Sequence, residues 1–174
     1  MNRGGSLRVL GIDPGTLVTG YGIVERGRSG DLIHVCDGEI RAGRGVTLAE
    51  RLLSISESLR KVIDEYRPDC VSVESVFFAK NVKSALMLGH ARGVVLLSAA
   101  FSKLPVHEYS PRTVKQAVVG YGGASKEQVQ KMVSLLLNTA SAPKPDAADA
   151  LAAAICHIHH FNEPLESLAA SRAE

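Results

Sequence analysis

The sequence has few cysteines and lacks the spacing that would pair them. Only three are present, Cys36, Cys70 and Cys156. An odd number without paired spacing argues against a disulfide framework and is typical of free, buried thiols in a reducing cytoplasm. We therefore assign these cysteines no catalytic or metal-binding role.

Long uninterrupted apolar runs are also missing. The most apolar stretch, residues 82–104, is interrupted by four basic residues, Lys83, His90, Arg92 and Lys103. A transmembrane helix needs about 20 mostly apolar residues, so we predict no membrane-spanning segment. Gly4, Gly5 and Arg8 lie where the apolar core of a signal peptide would begin, so we expect a cytoplasmic protein.

Positive charge is concentrated in one part of the chain. The net charge is only +2, but residues 80–131 hold eight Lys and Arg against two acids, a net charge of +6. The remainder, with 12 basic and 16 acidic residues, carries −4. Because phosphate contacts dominate nucleic-acid affinity, this asymmetry indicates a face that binds a polyanion.

The hydrophobic pattern predicts one α/β domain over residues 7–161, with a disordered leader at 1–6 and a loose tail at 162–174. The predicted strands cover residues 7–13, 18–25, 31–40, 69–75 and 106–109, and the predicted helices cover 47–66, 81–103, 110–119, 125–137 and 146–160. The first three strands are spaced as an antiparallel meander, and the strand–helix–strand order that follows implies parallel pairing. We expect a five-stranded mixed sheet flanked by helices.

Four acidic residues lie at the ends of apolar elements. Asp13 ends the first predicted strand and Glu74 lies near the end of the fourth, although carboxylates are rarely buried unless they are paired or bind metal. Asp146 and Asp149 begin the last helix at a spacing that puts them on one face. Two strand ends and one helix start could therefore bring four carboxylates together.

Such a cluster would repel itself without cations. Oxygen-only ligands suit Mg²⁺ or Mn²⁺, and two ions about 4 Å apart can support phosphodiester cleavage. Each acid also has an ordinary interpretation. Asp146 and Asp149 fit helix N-terminal acids, Asp13 fits a turn residue, and Glu74 fits a solvent-facing edge position.

Two further patterns are weaker indications of a functional site. His157, His159 and His160 fit ordinary histidines at a helix end, favoured by the helix dipole, and no HExxH pattern is present. The glycine-rich segment 120–123 lacks the GxxxxGK[ST] pattern of a phosphate loop. We interpret it as a flexible loop that contacts DNA.

Four segments together resemble one family. They are GIDPGTLVTGYGIV (11–24), DCVSVESVFFAKNVKSALMLGHARGVV (69–95), SPRTVKQAVVGYGGASKEQVQKMV (110–133) and PDAADALAAAICH (145–157). In this order, and over about residues 7–160, they resemble the RuvC family of Holliday-junction resolvases. The resemblance implies an RNase H-like fold.

The resemblance also implies roles for individual residues. Asp13, Glu74, Asp146 and Asp149 match the catalytic acids that bind metal, Mg²⁺ with Mn²⁺ as a substitute, at two ions per site. The expected DNA-binding residues are Phe77, Lys80, Arg112, Lys115 and Lys126. Phe77 matches an aromatic residue that members stack on a base, and Lys115 and Lys126 match lysines that assist cleavage. Without the resemblance, Phe77 fits a core phenylalanine and the two lysines fit a solvated helix face.

The implied activity is metal-dependent resolution of four-way DNA junctions in recombination and repair. A homodimer would nick two strands of like polarity symmetrically, leaving 5′-phosphate and 3′-hydroxyl ends, alongside a RuvA–RuvB branch-migration complex. The apolar helix from Asn81 is the expected dimer face.

Three alternatives stay open on the sequence alone. An actin-like ATPase or sugar kinase shares the first motif but needs a second such domain. Another RNase H-like nuclease could act on structured RNA, and a non-catalytic module could bind junctions without cutting them.

Overall fold

In the computed structural model, residues 6–43, 45–75 and 81–161 are described. The predicted leader and tail therefore lie outside the described residues, except for Ser6, and so do Phe77 and Lys80. The elements are β1 (Leu7–Asp13), β2 (Val18–Arg26), β3 (Leu32–Arg41), α1 (Leu48–Tyr66), β4 (Cys70–Glu74), α2 (Val82–Phe101), β5 (Val106–Tyr109), α3 (Pro111–Val119), α4 (Lys126–Leu136) and α5 (Pro145–His160). Their order and types are those that the sequence predicts.

The five strands form one mixed sheet in the order β3-β2-β1-β4-β5. β1 pairs antiparallel with β2, and β2 with β3, while β1–β4 and β4–β5 are parallel. The predicted meander and the predicted parallel crossover are both confirmed. Since β1 and β4 are parallel neighbours, with Ile12 opposite Val73, the strand ends that carry Asp13 and Glu74 lie at the same edge of the sheet.

Each face of the sheet carries its own apolar core, as the alternation of side chains along a strand requires. On one face Leu10, Val71 and Val73 belong to a buried cluster with residues of α1 and α2. On the other face Val9 and Cys70 belong to a cluster with residues of α3, α4 and α5. The sheet is therefore covered on both sides, and α5 lies directly on it.

Two glycines let α5 approach the sheet closely. A Cβ atom added to Gly11 of β1 would lie 1.9 Å from the carbonyl oxygen of Ala150, and one added to Gly20 of β2 would lie 1.9 Å from that of Asp146. The hydroxyl of Ser72 in β4 donates a hydrogen bond of 2.7 Å to the carbonyl of Ala153. Small residues on both partners thus hold the helix against three strands.

Local capping signals set the helix starts. Thr47 and Glu50 form the predicted capping box of α1, and Ser125 forms one with Gln128 at α4. Ser110 caps α3 ahead of Pro111. These side chains satisfy backbone N–H groups that the first helical turn leaves unpaired.

The end of α2 differs from the prediction by two residues. The helix stops at Phe101 rather than Lys103, and Lys103 adopts a left-handed conformation with φ of 55°. The amide of Leu104 donates to the carbonyl of Ala99, which closes the last turn before Pro105. The chain therefore turns before the proline instead of at it.

By length and composition, α2 meets the criteria for a membrane-spanning helix, contrary to the prediction from its charged residues. Core helices of soluble proteins pass the same criteria, so this finding is weak evidence for a membrane. One face of α2 packs inward through Ala91, Val95 and Ala99. The opposite face exposes four large apolar side chains, Val82, Leu86, Leu97 and Phe101.

Candidate active site

Two of the four predicted acids are placed by the sheet. Asp13, the last residue of β1, pairs with Gly20 on β2, and Glu74, the last residue of β4, pairs with Tyr109 on β5. Both acids follow buried residues, Ile12 and Val73, whose side chains fill the opposite face. The paired strands therefore hold both carboxylates in fixed positions at the same edge of the sheet.

The other two acids come from the start of α5. Asp146 and Asp149 lie in its first two turns, and Gly20, the neighbour of Asp13, lies directly against the backbone of Asp146. Because Gly20 has no side chain, the helix start lies beside the end of β1. The structure thus brings all four predicted acids into one cluster.

Burial and mutual repulsion perturb this cluster. Burial, followed by the charges of Asp149, Glu74 and Asp146, raises the pKa of Asp13 from 3.8 to about 7. Burial and then Asp149 raise the pKa of Glu74. Without a cation, the site therefore resists full ionisation near neutral pH.

Two predicted lysines bear on the acids. The Lys126 ammonium donates a 2.7 Å hydrogen bond to Oδ2 of Asp149, and this bond raises the pKa of Lys126. Its charge lowers the pKa of Asp13, and the charges of Lys126 and Lys115 lower that of Glu74. Both lysines therefore act on the cluster electrostatically. Arg112 lies exposed on the first turn of α3, against Gly122.

One acid beside the cluster was not predicted from the sequence. The side chain of Glu39 on β3 is only 3% exposed and forms ion pairs with Arg41 at 2.5 Å and Lys144 at 3.6 Å. After burial, Glu39 is the main cause of the raised pKa of Asp146. The one available signal was an acid and a base two residues apart on a strand, which alone does not point to a site.

The donor set fits a hard divalent cation. All four ligand candidates, Asp13, Glu74, Asp146 and Asp149, offer carboxylate oxygens, and burial followed by the neighbouring acids raises the pKa of Asp13, an effect that a bound cation would offset. Mg²⁺ and Mn²⁺ prefer such oxygen ligands, whereas thiolate and imidazole favour softer ions.

The three histidines of α5 differ from one another. Nδ1 of His159 lies 3.0 Å from the carbonyl oxygen of Ala117, and Nδ1 of His160 lies 2.8 Å from that of Cys156. Both fit the predicted helix-end interpretation. His157 does not, because it is buried and lies in a group with Cys70 and His107 whose potential ligand atoms are all within 4.8 Å of one another.

Comparison with known proteins shows the family. The family profile described as "Crossover junction endodeoxyribonuclease RuvC" matches residues 9–157. The RuvC protein of Syntrophotalea carbinolica is 53% identical over 156 residues, covering 90% of this chain and 96% of its own. That of Geobacter sulfurreducens is 53% identical over 151 residues, covering 87% and 92%.

Comparison with solved structures supports the same family. The Thermus thermophilus RuvC structure in complex with a Holliday junction substrate has a TM-score of 0.82 at 35% identity, covering 88% of this chain and 94% of that one. The RNase H-like α/β fold expected from the resemblance is therefore confirmed. On the family profile and these relatives, the chain belongs to the RuvC family of crossover junction endodeoxyribonucleases.

Proposed function

We propose that this protein resolves Holliday junctions by metal-dependent nicking of two strands of like polarity, in homologous recombination and DNA repair. The observation that carries the proposal is the cluster of Asp13, Glu74, Asp146 and Asp149 in a chain of the RuvC family. The related T. thermophilus enzyme has been solved with a Holliday junction substrate, which supports the same substrate here.

The four acids would hold Mg²⁺, with Mn²⁺ as a substitute, at two ions per site. Bound there, the ions would activate water and stabilise the charge that develops on the leaving oxygen. The acids themselves fix the site's position, because each projects from an element that contributes several residues to the buried core. Lys126 orients Asp149 and, with Lys115, supplies positive charge for the phosphate.

The products follow from the bond that breaks. Attack of water on phosphorus with departure of the 3′ oxygen leaves a 5′-phosphate and a 3′-hydroxyl. These are the ends that a ligase can seal, so two symmetric nicks would leave repairable duplexes. Phe77, Lys80 and Arg112 remain proposed DNA contacts, with Phe77 stacking on a base near the junction.

A second copy of the chain supplies the second nick. The exposed residues Val82, Leu86, Leu97 and Phe101 of α2 follow helical spacing and lie on one face, 55% to 76% exposed. Gly89 and Gly93 lie on the same face, where an added Cβ atom would meet no atom of the described residues within 4 Å. We therefore propose an α2–α2 homodimer, which explains the helix's apolar composition without a membrane. The dimer would act in the cytoplasm with a RuvA–RuvB complex.

Cleavage of a synthetic four-way junction tests the proposal. Wild type in Mg²⁺ is expected to give paired, ligatable nicks, whereas EDTA or Asp13→Asn should abolish cutting and leave binding intact. Asp64→Asn, which removes an exposed acid of α1, serves as the matched control and should cut normally. Equal cutting of linear duplex, or a preference for structured RNA, would overturn the junction assignment.

A further inference from the structure

A second group of potential ligands lies away from the acids, between the sheet and α5. Cys70 begins β4, His107 lies on β5, and His157 lies in the last turn of α5. Cys70 is four residues from Glu74 along the same strand, which corresponds to about 13 Å at the usual rise per residue. The group is therefore separate from the acidic cluster.

The three side chains come together because of strand register. Ser72 of β4 faces α5 and pairs with His107, so His107 shares that face with Cys70. α5 brings His157 over the two strands, with its ring stacked on that of His107 at 4.1 Å. One ligand atom from each residue lies within 4.8 Å of the other two.

His157 has one ring nitrogen engaged and one without a partner. Nδ1 lies 2.8 Å from the hydroxyl of Tyr109, while Nε2 is buried and has no hydrogen-bond partner among the described residues. Buried polar atoms normally have a partner, so this nitrogen calls for an explanation. If Nδ1–H of this ring donates to Tyr109, the lone pair on Nε2 is free to bind a metal ion. Metal-binding histidines commonly have this arrangement, in which the second ring nitrogen donates a hydrogen bond to a neighbouring group.

The protonation states fit a site for a metal ion. Burial, aided by His107, His160 and Arg26, lowers the pKa of His157 to about 4, so the ring is neutral and its lone pair is available. Burial raises the pKa of Cys70 to about 12, so the thiol is protonated until a cation displaces the proton. The nearby Arg26 charge opposes a cation, and the negative thiolate would offset that repulsion.

We propose that Cys70, His107 and His157 bind a divalent ion of the zinc type at a structural site distinct from the catalytic acids. On binding, the Cys70 S–H bond breaks, the proton leaves to solvent, and the sulfur electron pair forms the bond to the metal. Sulfur and imidazole ligands select Zn²⁺ over Mg²⁺. Tetrahedral zinc geometry places sulfur and nitrogen about 3.5 Å apart, and the ligand atoms, all within 4.8 Å of one another, would close to that distance on binding.

Such an ion would join β5 to the two elements other than β1 that carry catalytic acids. It would link β4, which ends in Glu74, to β5 and to α5, which begins with Asp146. The side chain of His107 is partly exposed, so water can reach the fourth coordination position. The site does not depend on nuclease activity, and its test therefore needs no cleavage assay.

Cobalt titration of the full-length protein tests the site, because a cobalt–thiolate bond gives a near-ultraviolet charge-transfer band that carboxylate ligands do not. Wild type is expected to show this band at one Co²⁺ per chain and to lose it when Zn²⁺ is added. Cys70→Ser should lack the band, while Cys36→Ser, which removes another free thiol, should retain it. Absence of the band in wild type, or its persistence in Cys70→Ser, would overturn the proposal.

A second variant covers failure of Cys70→Ser to fold. His107→Gln changes the partly exposed ligand, and its zinc affinity is expected to fall at least about tenfold relative to wild type. In thermal unfolding, Zn²⁺ should raise the melting temperature of wild type beyond the rise that Mg²⁺ gives. Equal zinc affinity in wild type and His107→Gln would exclude His107 as a ligand and contradict the three-residue site.

Discussion

Asp13 is the residue at which function opposes stability most directly. Its pKa is raised from 3.8 to about 7 in the fold, chiefly by burial and then by Asp149. A raised carboxyl pKa means that the folded state favours the protonated form. This contribution to stability is therefore fully present below about pH 4 and is lost as the pH rises through 7.

We therefore expect Asp13→Asn to abolish cleavage and to stabilise the metal-free protein at pH 8 by about 1 to 4 kcal/mol. Urea unfolding in EDTA at pH 4 and pH 8 measures this, and the difference between variant and wild type should shrink at pH 4. Asp64→Asn should change neither activity nor this pH dependence. A destabilised Asp13→Asn at pH 8 would contradict the burial argument.

Lys126 donates a hydrogen bond to Asp149, one of the four acids. Lys126→Met removes the charge that lowers the pKa values of Asp13 and Glu74, so those values should rise further. The acidic limb of the cleavage–pH profile is then expected to move to higher pH. The dependence of junction affinity on salt should also weaken by about one phosphate contact.

The matched control is Lys131→Met, five residues further along α4 and exposed. It removes the same charge from the same helix, so any general electrostatic effect on DNA binding should appear in both variants. If the cleavage–pH profile shifts equally in Lys126→Met and Lys131→Met, the proposal that Lys126 acts specifically on the acids is wrong.

At the scale of elements, the contact between β2 and α5 decides whether the acids meet. Gly20→Ala would place a Cβ atom 1.9 Å from the Asp146 carbonyl oxygen, which is backbone and cannot move aside alone. We expect a loss of about 1 to 3 kcal/mol in stability and a larger relative loss of cleavage, because the start of α5 must shift. Chemical unfolding and junction cleavage measure the two effects.

Gly123→Ala is the control for this substitution. Gly123 is followed closely by α4, and an added Cβ atom there would meet no described atom within 4 Å. Its stability should stay within about 0.5 kcal/mol of wild type. Full cleavage by Gly20→Ala would show that α5 tolerates displacement at its N-terminus.

Most elements were predictable because their signals are local. Thr47 and Ser125 each form a capping box with the residue three positions later, a pattern visible in the sequence. Pro111 directly follows the N-cap residue of its helix, which is also a local signal. The four acids were predictable as a group because strand ends and a helix start are sequence features. That they converge depends on Gly20 lying under α5, a contact that no local pattern encodes.

Other features depend on contacts between distant residues. Glu39 affects Asp146 only because β3 lies beside β2 in the sheet, and an acid on an edge strand does not by itself indicate this contact. His157 was interpreted as a helix-end residue because it lies near the end of a predicted helix and no HExxH pattern is present, whereas its proximity to Cys70 and His107 follows from the folded register.

For the molecule as a whole, the exposed stripe of α2 predicts the assembly state. Replacing Leu86 and Leu97 together by Glu places four charges in a two-fold interface built on this face. We expect the dissociation constant of the dimer to rise at least about 100-fold and paired nicks to give way to single nicks. Sedimentation equilibrium and a supercoiled cruciform substrate measure the two outcomes.

Leu53→Glu is the control, since Leu53 is 59% exposed on α1, outside the stripe. This variant should remain dimeric. If the doubly substituted protein also remains dimeric, the interface lies elsewhere on the surface and α2 needs another explanation for its apolar face.

The alanine content of α5 has a consequence for how this protein can evolve. Six alanines between Ala147 and Ala154 are at most 1% exposed, with strands beneath and two helices alongside. Third-base changes in alanine codons are silent, but most of the other single-nucleotide changes give Val, Thr, Pro, Asp or Glu, whose side chains are too large or too polar for the space. Selection should therefore remove most amino-acid changes at these six positions, whereas the exposed positions of α1 and α4 can vary more freely.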